Sequence, residues 1–83
     1  MDPRELPMIW VKALIQELRL AFITNRTSIE LGQPFNVVYK NDRWYEALDQ
    51  AKRVCLKDEQ YEYCAEIKEM QDKISTNHTQ LVR

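Results

Sequence analysis

The spacing of apolar residues predicts a long helix in the first third of the chain. Apolar side chains recur there every three or four positions, which places them on one stripe of an α-helix. The stripe consists of Trp10, Val11, Leu14, Ile15, Leu18, Ala21 and Phe22. Polar residues such as Lys12 and Gln16 occupy the opposite side. Ile9, Leu20 and Ile23 lie outside the stripe and indicate a second contact surface on this helix.

Two starting points for this helix are open. Asp2 followed by Pro3 has the composition of an N-cap and a first helical residue. Pro7 would remove a backbone hydrogen bond from a helix that had already begun, so the alternative start lies near Leu6. The helix is expected to end in the polar segment 24–28, where short polar side chains compete for backbone hydrogen bonds.

The segment 29–39 has the pattern of a short extended structure. Phe35, Val37 and Tyr39 alternate with other residues and share one side of an extended chain. The turn-forming residues 32–34 interrupt the segment. Because a two-stranded hairpin alone is only marginally stable in water, we expect a crossing loop or a minimal hairpin laid over the helices. An additional helical turn beginning at the proline is the alternative.

The second half of the chain predicts two helices joined by a short polar turn at residues 57–59. Asn41 or Asp42 is the expected cap of the second helix, which has a narrow apolar seam. The seam consists of Trp44, Ala47, Leu48, Ala51, Val54 and Cys55. The third helix is expected to begin at Asp58 or Glu59, where acidic side chains favour the positive end of a helix dipole.

The third helix has two apolar rows on different sides. One row has the 4-3-4 spacing of a coiled coil and consists of Tyr63, Ile67, Met70 and Ile74. The other row consists of Tyr61, Cys64 and Ala65. One neighbouring helix cannot cover both rows. The pattern therefore predicts a surface that binds another protein chain, formed by the first row together with Glu62 and Glu66.

These elements together predict a mainly α fold. The expected arrangement has three helices: a long N-terminal helix and a C-terminal helical hairpin, with a short extended or hairpin segment between them. A chain of 83 residues is too short for two separate cores. We therefore expect a single helical domain at residues 1–74 and a flexible polar tail at residues 75–83.

The distribution of charge leaves a second class of partner open. The net charge is −1, so the chain as a whole does not attract nucleic acid or an anionic membrane. Lys52, Arg53 and Lys57 form a basic patch near the predicted hairpin tip, although acidic residues lie among them. Phosphate binding depends on uncompensated positive charge. Nucleic-acid binding through this patch is accordingly the alternative to protein binding.

The chain offers little from which to build a catalytic site. Its single glycine excludes phosphate-binding loops, and its single histidine, His78, lies in the polar tail. No ligand set for a metal or a cofactor is evident, so we expect no enzymatic activity. Cys55 and Cys64 are expected to be offset by about one helical turn and to remain reduced, because helix axes stand about 8–10 Å apart. The sequence has no apparent signal peptide and no apolar run of membrane-spanning length, which favours the cytoplasm.

Residues 51–74 resemble the UVR motif, a short helical hairpin of bacterial excision-repair proteins and of some regulators of the Clp protease system. The resemblance lies in Tyr61-Glu62, Cys64-Ala65, Ile67-Lys68, Asp72 and Ile74. Cys64 replaces the usual alanine. The resemblance implies a hairpin that binds a partner hairpin. It also implies packing roles for Tyr61, Ala65 and Ile67 and polar contacts for Glu62 and Lys68.

The expected function is therefore non-catalytic protein–protein interaction. A small regulator, adaptor or inhibitor that also self-associates fits the exposed apolar helix face. The basic patch leaves a nucleic-acid-binding accessory protein as the alternative. A further alternative, suggested by size, is a bacterial accessory protein or a phage-encoded inhibitor of a host or viral protein.

Overall fold

The computed structural model describes residues 6–82, with side chains for residues 6–75, as three helices and one small antiparallel sheet. In chain order the elements are α1 (Leu6–Thr24), β1 (Ser28–Leu31), β2 (Val37–Lys40), α2 (Asn41–Lys57) and α3 (Tyr61–Val82). The prediction of a mainly helical chain with a short extended segment between helices is confirmed. The N-cap proposed at Asp2 lies outside the described residues.

The chain divides into two compact units, Met1–Trp44 and Tyr45–Arg83. The boundary falls inside α2, so this helix contributes its first turn to one unit and its remainder to the other. The single domain expected at residues 1–74 stays a prediction. The flexible tail expected at residues 75–83 also stays a prediction, although the helical backbone of α3 continues to Val82.

The apolar stripe of α1 is buried as its spacing predicts. Its buried members are Val11, Leu14, Ile15, Leu18 and Ala21. The helix ends in a Schellman turn, in which the Arg26 N–H donates to the Ala21 carbonyl at 3.0 Å. Asn25 takes the left-handed conformation that this turn requires, with φ of 56°. Asparagine adopts that conformation more readily than most residues.

The extended segment is a minimal hairpin, and the alternative of a helical turn is wrong. β1 and β2 pair antiparallel, with Ile29 opposite Tyr39 and Leu31 opposite Val37. These four side chains share the more buried face of the sheet. β1 packs against α1, which supplies the apolar surface that an isolated hairpin lacks.

No loop separates β2 from α2. The backbone N–H of Asn41 donates to the Thr27 carbonyl at 2.9 Å. This bond extends the pairing of the two strands by one step and also satisfies one of the N–H groups that a helix start leaves without a partner. The helix therefore begins directly at the end of the strand, with Asn41 as its first residue and not as a cap that precedes it.

Tyr39 connects both tryptophans of the first unit. The Trp44 indole N–H donates to the Tyr39 carbonyl at 3.0 Å, and the Trp10 indole N–H donates to the Tyr39 hydroxyl at 3.3 Å. The Trp44 ring also meets Phe22 edge to face, with ring centroids 5.8 Å apart. These contacts let Trp44, which is 4 % exposed, enter the core with its one polar atom satisfied.

Candidate functional site

Within the second unit, α2 and α3 run antiparallel as a helical hairpin. The Cys64 thiol approaches the Lys52 carbonyl at 3.9 Å, and the Gln71 amide donates to the Tyr45 carbonyl at 3.3 Å. Between these two contacts, α3 advances by seven residues while α2 goes back by seven residues, which is the register of an antiparallel pair. The register implies that Cys64 lies level with Lys52, which is the alignment expected for a hairpin that turns near Asp58.

The turn between the helices is a second Schellman motif, so the predicted start of α3 at Asp58 or Glu59 is wrong. The Gln60 N–H donates to the Cys55 carbonyl at 2.8 Å, and the Glu59 N–H donates to the Leu56 carbonyl at 3.3 Å. Glu59 has φ of 58°. Asp58 and Glu59 therefore close α2, and α3 begins at Tyr61.

The row predicted to bind a partner is largely enclosed in the single chain. Ile67 is 0 % exposed and Met70 is 7 % exposed. Tyr63 and Ile74 are half-buried. Of the two carboxylates placed beside this row, Glu62 is exposed and Glu66 is half-buried. The coiled-coil spacing thus marks the inward side of α3, and these four apolar residues do not form one open face.

The exposed apolar side chains of the second unit lie on the other side of the hairpin. Leu56 is 53 % exposed, Tyr61 is 63 % exposed and Tyr45 is 47 % exposed. Tyr45 and Leu56 are eleven positions apart, which is about three helical turns, so they share one line along α2. The hairpin register brings Tyr61 level with Cys55, beside Leu56.

Helical periodicity places these side chains on a common surface. Cys64 and Gln71 mark the edge of α3 that faces α2; the enclosed Ile67 lies to one side of that edge, and Tyr61 lies to the other. Leu56 has the equivalent position on α2, on the side away from the buried seam. We call this surface the outer face. Its apolar members are Tyr45, Leu56, Tyr61 and the exposed Ala65.

The basic patch near the hairpin tip is partly neutralised. The Arg53 guanidinium lies 3.3 Å from the Asp49 carboxylate, one helical turn away. Lys52 is half-buried, and Lys57 is exposed. Because phosphate binding depends on uncompensated charge, this geometry does not favour nucleic acid over protein. The nucleic-acid alternative stays a prediction.

The two cysteines keep the expected offset of about one helical turn, yet their side chains lie close together. Both thiols are free. The Cα–Cβ bond of a helical residue tilts toward the N-terminus of its helix, so in antiparallel helices the two side chains lean toward each other. Burial of Cys55, together with the neighbouring thiol, raises the pKa of Cys55 to about 11.

Two further features bear on function. Across the described residues, no group of three or more histidine, cysteine or acidic side chains could hold a metal ion. Within the same part of the chain, no helix has both the length and the apolar character needed to cross a membrane.

The outer face was missed at the sequence level, although a signal for it exists. Tyr45 and Leu56 do not belong to the apolar seam that the sequence predicts for α2. Their separation of eleven residues nevertheless places them on one line along this helix. Tyr61 and Ala65 do belong to the second apolar row and to the UVR-like pattern. That row is split by the fold, because Cys64 turns toward α2 while Tyr61 stays exposed.

Comparison of the chain with known protein families, with curated proteins and with solved structures found no match. The resemblance to the UVR motif therefore stays a prediction.

Proposed function

We propose that this protein is a non-catalytic protein-binding module of the cytoplasm that self-associates through the outer face of its helical hairpin. A role as a small regulator, adaptor or inhibitor would use the same face. The observation that supports the proposal most directly is the exposure of Leu56 and Tyr61 side by side on one surface. Exposed neighbouring apolar side chains with a polar surround have the composition of a binding patch.

The charges of the two helices favour a second copy of the chain as the partner. Residues 40–57 contain five basic and three acidic residues, whereas residues 58–73 contain six acidic and two basic residues. In a two-fold symmetric dimer the same surface meets itself, so α2 of one copy can lie on α3 of the other. One positive and one negative arm make the hairpin self-complementary in that arrangement.

The surroundings of the apolar pair fit this interpretation. Arg53 and Asp49 lie on the exposed side of α2 as an ion pair, and Lys68 and Asp72 are exposed on α3. A polar rim around a small apolar centre is the usual composition of a non-obligate protein interface. The rim charges would set the orientation of the two copies more than the affinity.

The test is the mass of the full-length chain in solution over a range of concentrations. We expect light scattering to show a monomer–dimer equilibrium for the natural sequence. The double change Leu56→Asp and Tyr61→Asp should leave a monomer, because four carboxylates would meet in a two-fold contact. Far-UV circular dichroism should stay helical, since both side chains are exposed in the single chain.

Val38→Asp provides the matched control. Val38 is exposed to a similar extent, at 59 %, but it belongs to β2 in the other unit. This variant should dimerise like the natural chain. A natural chain that remains monomeric at millimolar concentration would contradict the proposal, and so would a double variant that dimerises normally.

A further inference from the structure

The sulfur atoms of Cys55 and Cys64 form a cluster that the proposed binding function does not use. They come from different helices, and the two side chains lie close enough together for the Cys64 thiol to raise the pKa of Cys55. The Cys64 sulfur is also 3.9 Å from the Lys52 carbonyl, which lies one helical turn before Cys55. This contact and the register of the hairpin agree in placing Cys64 over the same part of α2.

The hairpin geometry suits a bond between these sulfurs. A disulfide requires Cα atoms no more than about 7 Å apart, with Cβ atoms that point toward each other. Antiparallel helices satisfy the second condition here, because each Cα–Cβ bond leans toward the other residue. Ala51 lies one turn before Cys55 on the buried seam, and its small side chain permits a close approach of the helices.

The two thiols differ in their access to solvent. Cys55 is 0 % exposed, whereas Cys64 is half-buried. A small oxidant in solution would therefore meet Cys64 first. Cys55 lies directly behind it, in the position of a resolving thiol that reacts with an oxidised neighbour.

We propose that Cys55 and Cys64 form a reversible intramolecular disulfide site whose oxidising substrate is a hydroperoxide. The Cys64 thiolate attacks the terminal peroxide oxygen, the O–O bond breaks, and Cys64 becomes a sulfenic acid while hydroxide leaves from hydrogen peroxide, or an alkoxide from an organic hydroperoxide. The Cys55 sulfur then attacks the Cys64 sulfur. The S–O bond breaks, the S–S bond forms, and the leaving hydroxide takes the Cys55 proton to form water. Two thiols lose two electrons in total, and one hydrogen peroxide molecule is reduced to two water molecules, or one organic hydroperoxide to an alcohol and one water.

The raised pKa of Cys55 agrees with this order of events. A thiol that holds its proton is a poor first nucleophile at neutral pH. Delivery of that proton to the departing hydroxide then assists the second step. A dithiol reductant returns two electrons and restores both thiols, so the modification is reversible.

The test uses hydrogen peroxide on the full-length folded chain, followed by intact mass spectrometry and alkylation with iodoacetamide. We expect the loss of two hydrogen atoms per chain, no free thiol, and full recovery with dithiothreitol. The oxidised chain should melt higher by about 5 °C or more, because the bond closes a loop in the unfolded state. A product with sulfinic acid at Cys64, or with disulfides only between chains, would overturn the proposal. A lower melting temperature would also do so.

Two single variants separate the roles of the thiols. In Cys55→Ser, Cys64 should still react and should stop at a sulfenic acid that dimedone traps. In Cys64→Ser, oxidation of the buried Cys55 should be slower by about tenfold or more. Equal reactivity of Cys55 and Cys64 in these variants would contradict the assigned order. Circular dichroism confirms that each variant is folded, and Cys64→Ala replaces the serine variant if it is not.

Discussion

Glu59 is held in a left-handed backbone conformation that disfavours most residues with a side chain. Its φ of 58° belongs to the turn that closes α2, where glycine is the usual residue. We predict that Glu59→Gly stabilises the protein by about 0.5–1 kcal/mol. Relief of the left-handed strain, of about 1–2 kcal/mol, exceeds the added flexibility of the unfolded glycine. Urea unfolding followed by circular dichroism measures the change.

Asp58→Gly is the control in the same turn. Asp58 is not among the described residues with positive φ, so glycine relieves no strain there. This variant should lose about 0.5–1 kcal/mol through greater freedom of the unfolded chain. If both glycine variants change stability equally, the left-handed strain at Glu59 is refuted.

The pKa of Cys55 predicts a loss of stability in alkaline solution. Folding raises this pKa from 9.0 to about 11, so the folded chain holds the thiol proton more tightly than the unfolded chain. The resulting stabilisation is complete below pH 9 and disappears as the pH rises toward 11. We expect a loss of about 2 kcal/mol across this interval. Urea midpoints under reducing conditions at several pH values measure it.

Cys55→Ser isolates the thiol from other groups that titrate in this range. The hydroxyl of serine does not ionise below pH 11, so the variant should have a shallower dependence on pH from 9 upward. Its stability at pH 7 is expected to be lower because a buried hydroxyl replaces a thiol. Parallel pH curves for the two proteins would contradict the raised pKa.

At the scale of residues, the sequence predicts where a side chain lies along a helix better than it predicts the direction in which that side chain points. The offset of about one turn between Cys55 and Cys64 was correctly predicted, yet the closeness of their side chains was not foreseen. A comparison of positions along the helix axes omits the tilt of the Cα–Cβ bonds. This tilt brings the two cysteine side chains toward each other. Likewise, the charge of Glu59 suggested a helix start. The left-handed φ of this residue instead follows from the geometry of the turn.

At the scale of elements, the two sides of α3 should respond differently to a charge. Ile67 is 0 % exposed, whereas Tyr61 is 63 % exposed on the outer face. We predict that Ile67→Asp unfolds the hairpin, with a loss of about 4 kcal/mol or more, because a carboxylate would replace a buried apolar side chain. Circular dichroism and thermal melting measure the loss.

Tyr61→Asp is the matched comparison, since it adds the same charge to the same helix. Tyr61 is the first residue of α3, and a negative charge at this position interacts favourably with the positive end of the helix dipole. This variant should remain helical and lose less than about 1 kcal/mol. A folded Ile67→Asp chain that merely dissociates would instead show that Ile67 contacts another molecule.

Long elements with a strong period were predictable, and their boundaries were less so. The stripe of α1 extends over several turns, so a single register of the helix accounts for all its apolar residues. The acidic residues at 58 and 59 could either begin α3, near the positive end of its dipole, or close α2 through the hydrogen bonds of a Schellman turn. The backbone bonds decided the outcome, and residue type alone does not reveal them.

At the scale of the whole molecule, surplus apolar surface was expected on the coiled-coil row of α3. The fold instead encloses the centre of that row and leaves Leu56 and Tyr61 uncovered. Periodicity identifies which residues of a helix share a side. It does not determine which side meets the rest of the chain, because that depends on how all the elements pack.

Because the boundary between the two units lies within α2, dividing the chain at this boundary would cut a helix. A chain break between Trp44 and Tyr45 would leave the first unit with one helical turn too short to persist, and the second with a helix whose leading amide groups have lost their acceptors. Neither piece is expected to behave as a transplantable module. Gene fusions and recombination events are therefore expected to keep Asn41–Lys57 intact, so that the two units are inherited together.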